Sequence, residues 1–184
     1  YQKYLLQATA ALDAASARFL PEESEVCRAA RYSLLGGGKR IRAILTLSVC
    51  DMLGGEMQVA AQFAAAVEML HCYSLIHDDL PCMDDDEYRR GRLTNHKVFG
   101  EALALLAGDA LLTLAFEVML EQKNVPAEAL VETVREVAMC AGNFGMVGGQ
   151  VIDLDSEGRQ ISEEELRKLH AGKTGALFIA AVRS

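Results

Sequence analysis

No CxxC pair occurs in the 184 residues, and none of the five cysteines (Cys27, Cys50, Cys72, Cys82, Cys140) stands in a group with a histidine. The spacing of a structural zinc site is therefore missing. An odd, scattered set reads as reduced core thiols of a cytoplasmic protein. A basic excess is missing too. The net charge of -8 argues against a general nucleic-acid binder, so any polyanion must be met by local basic residues against the overall field. Prolines number three, with no internal repeat or low-complexity linker, and no segment alternates convincingly as a strand. The most apolar segment, Ala102–Met119, carries Asp109 and Glu117, which reads as a buried helix and not a membrane span. No secretory leader is visible, and since the chain opens on Tyr1, its natural start is expected upstream.

What is present is a core and helix signals. Hydrophobic residues make up 51% of the chain and charged ones 24%, the balance of a globular protein. Apolar spacing predicts a helix over Tyr1–Phe19 and a second opened by Pro21, Glu22 and Glu23 that stops at Gly36-Gly37-Gly38. A third runs from near Lys39 to Gly54-Gly55, and a fourth from Met57 to about Asp84, followed by a polar loop over Glu87–His96. The fifth covers about Phe99–Gln122. The sixth starts at Pro126 and reaches about Leu154. Ser162 with Glu165 forms a capping box for a short seventh, and Gly172–Ser184 reads as an unfinished helix. The expectation is an all-α, single-domain bundle around a deep central cavity, with a C-terminal portion missing.

The stretch His71–Arg92, HCYSLIHDDLPCMDDDEYRRGR, organises the rest. Five acids (Asp78, Asp79, Asp84, Asp85, Asp86) stand before Glu87 and the pair Arg89-Arg90. Acids at a helix C-terminus repel the dipole and one another, and Mg²⁺ is a hard cation suited to offset them. In an unbroken helix Asp78 and Asp84 would lie about 120° apart. Pro81 disfavours continued helix, and if two residues near it bulge out, Asp84 becomes an effective i+4 neighbour of Asp78. The alternative is a solvated acidic helix end.

Gly36-Gly37-Gly38-Lys39-Arg40-Ile41-Arg42 feeds a helix start bearing three cations, with Lys39 and Arg42 on one side. It reads either as an anion seat or as a glycine turn before a basic surface helix. It lacks the strand and the GKS/GKT ending of a nucleotide-type phosphate loop. His71 lies two turns before Asp78 on the same side, with Ser74 between them. Gly145, Gly148 and Gly149 weaken the sixth helix and permit close backbone approach. Gln150 and Asp153 share a side, with Asp153 either orienting a nearby cation or standing as a plain surface acid. Lys173-Thr174-Gly175 sets a cation and a hydroxyl in apolar surroundings, or else marks a helix kink.

Taken together, HDDLPCMDDDEYRRGR resembles the first aspartate-rich motif of the bacterial trans-polyprenyl diphosphate synthases, and GGGKRIRA resembles their GGKRxRP. NHKVFGEALALLAGDALLTLAFEVM, GMVGGQVIDL and HAGKTGALF follow in the family's order, so the likeness covers essentially the whole chain, nearest to the farnesyl diphosphate synthase type. The resemblance implies a Mg²⁺-dependent prenyltransferase that joins isopentenyl diphosphate to dimethylallyl or geranyl diphosphate by ionisation, condensation and elimination. It implies the isoprenoid-synthase fold, with residues 1–184 as roughly the first two-thirds of the domain, and a homodimer.

By the same resemblance, Lys39, Arg42, His71 and Arg90 hold isopentenyl diphosphate. Asp78 and Asp84 bind Mg²⁺, which bridges to the allylic diphosphate. Arg89, Gln150, Lys173 and Thr174 contact the allylic substrate, the last two near the developing carbocation. Tyr73 and Ser74 sit where chain length is set, with the Tyr73 ring as a floor. Ala43 and Leu93 replace the family's usual prolines, and a second motif, DDxxD, is absent, so these 184 residues are expected to be inactive alone. The alternatives are a geranylgeranyl diphosphate synthase and a non-catalytic subunit of a prenyl synthase. A metal phosphohydrolase built on His77-Asp78 lacks converging ligands.

Overall fold

The computed structural model describes residues Tyr1–Ser184, and helices make up nearly all of its regular structure. The chain divides into two compact units, Tyr1–Gln122 and Lys123–Ser184.

The first unit is built on α4 (Met57–Asp78), which packs against α1 (Gln2–Phe19), α2 (Glu25–Leu34), α3 (Ile41–Met52) and α6 (Glu101–Leu120). Alanine dominates its first half, so neighbouring backbones approach closely and the helix is buried on most sides. Ala8, Ala43, Leu47, Ala60 and Ala64 form the core where α1, α3 and α4 meet. Against α6 the fit depends on Gly108, since a Cβ there would lie 2.1 Å from the His77 imidazole, whose Nε2 contacts the Leu105 carbonyl at 3.0 Å. By length and composition alone α4 and α6 could each cross a bilayer; here they pack on one another.

The fourth helix stops at Asp78 instead of running on to Asp84. Pro81 supplies no N–H, and the chain turns back with Met83 N–H on the Leu80 carbonyl (2.8 Å) and Asp84 N–H on that of Asp78 (2.9 Å). The polar loop contains a two-stranded antiparallel hairpin, β1 (Tyr88–Arg89) with β2 (Arg92–Leu93), too short to show alternation in sequence. Gly100, in the left-handed region at φ +86°, then separates α6, close to the fifth predicted helix, from α5 (Asn95–Phe99), a short helix that the spacing does not predict.

In the second unit the predicted sixth helix divides into α7 (Ala127–Ala141) and α8 (Met146–Ser156). Gly142 and Gly145 interrupt it: extended backbone at Gly142 ends α7. Close approach is real at Gly149, where a Cβ would meet the Lys173 backbone nitrogen at 1.9 Å. The Ser162–Glu165 capping box forms as expected and opens α9 (Glu163–Leu169). A π-helical turn, His170–Gly175, leads into α10 (Ala176–Arg183), which packs on α7. All five cysteines are free, but only Cys72 is a core thiol, and Cys82 is exposed.

Candidate active site

Within the first unit, α4, the hairpin and the end of α2 line an open cleft. Four arginines line it, Arg40, Arg89, Arg90 and Arg92, together with His71, two acids (Glu68, Asp79) and the apolar Leu75 and Ile76. For a chain of net charge -8 this is a strong local reversal of sign.

Each acid has a partner. Asp79 is nearly buried and accepts from Arg89 Nε at 2.7 Å and Nη2 at 2.6 Å, while Asp86 stands 3.5 Å from the same guanidinium. Burial pushes the Asp79 carboxyl above its usual range, and Arg89 pulls it back. Glu68 is 2% exposed, with Oε1 accepting the Ala43 N–H at 3.2 Å and Oε2 3.6 Å from Arg40 Nη1. Arg40 in turn donates through Nη2 to the Leu34 carbonyl at 2.6 Å.

The other two arginines have no carboxylate on them. Arg90 donates to the Gly37 carbonyl, lying where a Gly38 side chain would be: a Cβ there would come within 2.5 Å of its guanidinium carbon. Arg92 lies over the Tyr32 ring, 4.2 Å from the centroid. Burial, then Arg42, Arg90, Arg89 and Arg40, push the His71 imidazole down to about 3, so it stays neutral at pH 7. The Cys72 thiol is pushed up to about 12, chiefly by burial, which leaves it inert as a nucleophile.

The cleft thus brings together three of the expected residues, His71, Arg89 and Arg90. Lys39 and Arg42 flank it on the glycine loop and the first turn of α3. Lys39 is exposed, while Arg42 is half-buried with its guanidinium pKa lowered by burial despite Glu68. Asp78 ends α4, and the turn past Pro81 brings the backbone of exposed Asp84 onto the Asp78 carbonyl, by a turn and not by a bulge within a continuing helix. Tyr73 is buried edge-on to His77, with centroids 5.7 Å apart, and does not line the cleft; Ser74 donates to the His71 carbonyl. In the second unit Lys173, on the π-helical turn, pairs with Asp153 at 2.5 Å, which favours the cation-orienting reading of Asp153 over the plain surface acid. Gln150 lies one turn before Asp153 on α8, and Thr174 follows Lys173.

Sequence reasoning missed Arg40, Glu68, Asp79, Arg92 and Asn95 as site residues. Glu68 carried a signal, being the sole carboxylate in α4 before Asp78. Arg40 carried none, since nothing separates it from Lys39 and Arg42 until its backbone is seen in the left-handed region at φ 52°.

No group of three or more histidine, cysteine, aspartate or glutamate side chains converges where an ion could sit. Asp78 and Asp84 together offer hard oxygens from adjacent backbone positions. That fits Mg²⁺, which takes one or two carboxylates and completes its shell with water and substrate phosphate.

Comparison with known proteins points the same way. Residues 23–184 match the Polyprenyl synthetase family. Geranylgeranyl diphosphate synthase of Cyanophora paradoxa is 56% identical over 156 residues, 84% of this chain and 52% of that protein. Farnesyl diphosphate synthase of Micrococcus luteus is 47% identical over 167 residues, 91% of this chain and 57% of that protein. The crystal structure of a geranyltransferase from Legionella pneumophila superposes with a TM-score of 0.94 at 39% identity, covering 99% of this chain and 65% of that one. The chain spans about half the length of the curated relatives it matches. With the motifs, the all-helical fold and the match over residues 23–184 in agreement, the chain belongs to the polyprenyl synthetase family.

Proposed function

We propose that the protein is a trans-prenyltransferase that condenses isopentenyl diphosphate with an allylic diphosphate, dimethylallyl or geranyl, to give farnesyl diphosphate. The observation that carries this reading is the cleft itself: four arginines and a neutral imidazole around one opening in an acidic protein. Diphosphate is a compact polyanion, and guanidinium forks match its oxygens in pairs.

Arg90, Arg42, Lys39 and His71 hold the isopentenyl diphosphate head in this reading. His71 acts as a neutral donor and so adds a directed hydrogen bond without a further charge. Asp78 and Asp84 hold Mg²⁺, which when bound supplies positive charge against the allylic diphosphate. Arg89 serves that same head, held in place by Asp79 and Asp86. Gln150, Lys173 and Thr174 line the allylic side, with Asp153 fixing the Lys173 ammonium. Ionisation of the allylic C–O bond leaves an allylic cation, the isopentenyl double bond attacks it, and a proton is lost. Arg89 lowers the barrier by meeting charge that grows on the departing allylic diphosphate.

Product length is the finer question. Tyr73 is five residues before Asp78, about 7.5 Å along the helix axis, and its buried ring supports a stop at fifteen carbons. The identity to a geranylgeranyl diphosphate synthase supports the second reading, a twenty-carbon product. Within this proposal the working enzyme is a cytoplasmic homodimer.

Mass analysis of products from the full-length protein, given isopentenyl diphosphate, geranyl diphosphate and Mg²⁺, decides the matter. Farnesyl diphosphate is expected. A geranylgeranyl product selects the second reading, and no prenyl product under turnover conditions removes both.

A further inference from the structure

The Glu68 carboxylate sits where its charge is unfavourable to an anion site. It lines the cleft, is 2% exposed, and its field offsets part of the lowering that burial imposes on the guanidinium pKa values of Arg42 and Arg90. A carboxylate facing an incoming polyanion weakens binding unless it does something else there.

Its two oxygens are divided between two tasks. Oε1 accepts the N–H of Ala43 (3.2 Å), one of the unpaired donors at the start of α3. Oε2 faces Arg40 (3.6 Å), whose other fork nitrogen donates to the Leu34 carbonyl (2.6 Å) at the last residue of α2. One carboxylate on α4 therefore ties down both ends of the glycine loop. Arg40 itself is 8% exposed and lies in the left-handed region, a conformation that costs free energy for a residue with a side chain. Between those ties lie Gly37, whose carbonyl receives Arg90, and Gly38, whose missing side chain makes room for it.

We infer that Glu68 is a positioning residue: through Arg40 and the start of α3 it holds the glycine loop in the one conformation that presents Arg90 and Arg42 to a diphosphate. This rests on the cleft being the anion seat proposed above.

The test compares two effects of opposite sign. Glu68→Gln keeps an oxygen for the Ala43 N–H and removes the charge. If Glu68 were only a counter-charge, inorganic pyrophosphate would bind more tightly. If it positions the loop through Arg40, pyrophosphate binds about tenfold more weakly or worse, because the ionic hold on Arg40 is gone. Titration calorimetry of the full-length protein without metal reads the difference. Arg40→Lys leaves Glu68 and the net charge in place and removes the fork that reaches both partners. It is expected to lose a similar factor, and Glu68→Gln/Arg40→Lys to be no weaker than the worse single variant. Unchanged or tighter binding in Arg40→Lys overturns the inference even where Glu68→Gln fails to fold. Failure of the unsubstituted protein to bind pyrophosphate at all would instead remove the anion seat and the function built on it.

Discussion

His71 concentrates the electrostatics of the cleft in one titration. Its imidazole is depressed to about 3 by burial first and by four arginines after that. The neutral form is the one the fold favours, so this stabilising contribution is complete above the unfolded value near 6.5 and fades as pH falls from there toward 3. Over that window the folded state resists a proton that the unfolded chain accepts, a slope of about 1.4 kcal/mol per pH unit. Replacing His71 with Gln should flatten the stability curve between pH 6 and 4 by close to one proton, as read by denaturant midpoints. An NMR titration placing His71 near 6.5 would contradict the enclosed cleft. Asp79 gives a second residue-level expectation. Its charge is buried and Arg89 is its partner at 2.6 Å, so Arg89→Ala should destabilise the fold by about 2–3 kcal/mol. Adding Asp79→Asn should return much of that loss, because a neutral amide needs no counter-ion. Tyr73→Ala belongs here too. With the ring gone, products longer than those of the parent enzyme are expected by mass analysis, and an unchanged product would remove Tyr73 as the floor.

Among the elements, the contact of α8 with the π-helical turn has the narrowest tolerance. Gly149 has the Lys173 backbone nitrogen 1.9 Å from where a Cβ would stand, and backbone cannot rotate aside as a side chain can. Gly149→Ala should cost about 3 kcal/mol or more, measured by thermal unfolding. Gly175→Ala, helical at φ -63° and with its nearest neighbour at 3.4 Å, should instead be neutral or gain about 0.5 kcal/mol. Elements of this kind were legible where local chemistry decides: the Ser162–Glu165 box, the start of α7 after Pro126 and the glycine stop after α2 all appear as read. The ends of α4 and α7 were not. Each depends on how far a proline or glycine acts against an apolar run, and tertiary packing settles that. The aspartate and arginine motifs were readable because their residue types are unusual at those places. The pairing that makes Arg40 and Arg89 partners of Glu68 and Asp79 was not, since the first crosses from α4 to the glycine loop and the second depends on how the turn at Pro81 folds the hairpin back.

For the whole molecule, the proposed reaction draws on two separable kinds of cationic help. In that reading the arginines provide one without any metal, while Asp78 and Asp84 would provide the other only through a bound ion. Chelation with EDTA should therefore abolish prenyl transfer by the full-length protein and leave pyrophosphate binding within about threefold of its starting value. Loss of both together would mean that the arginine cleft does not bind independently of the ion. Every residue lining that cleft lies between Tyr32 and Asn95. If the proposed reaction holds, a diphosphate grip drawn from one contiguous stretch can be inherited whole while the sequence on either side of it drifts.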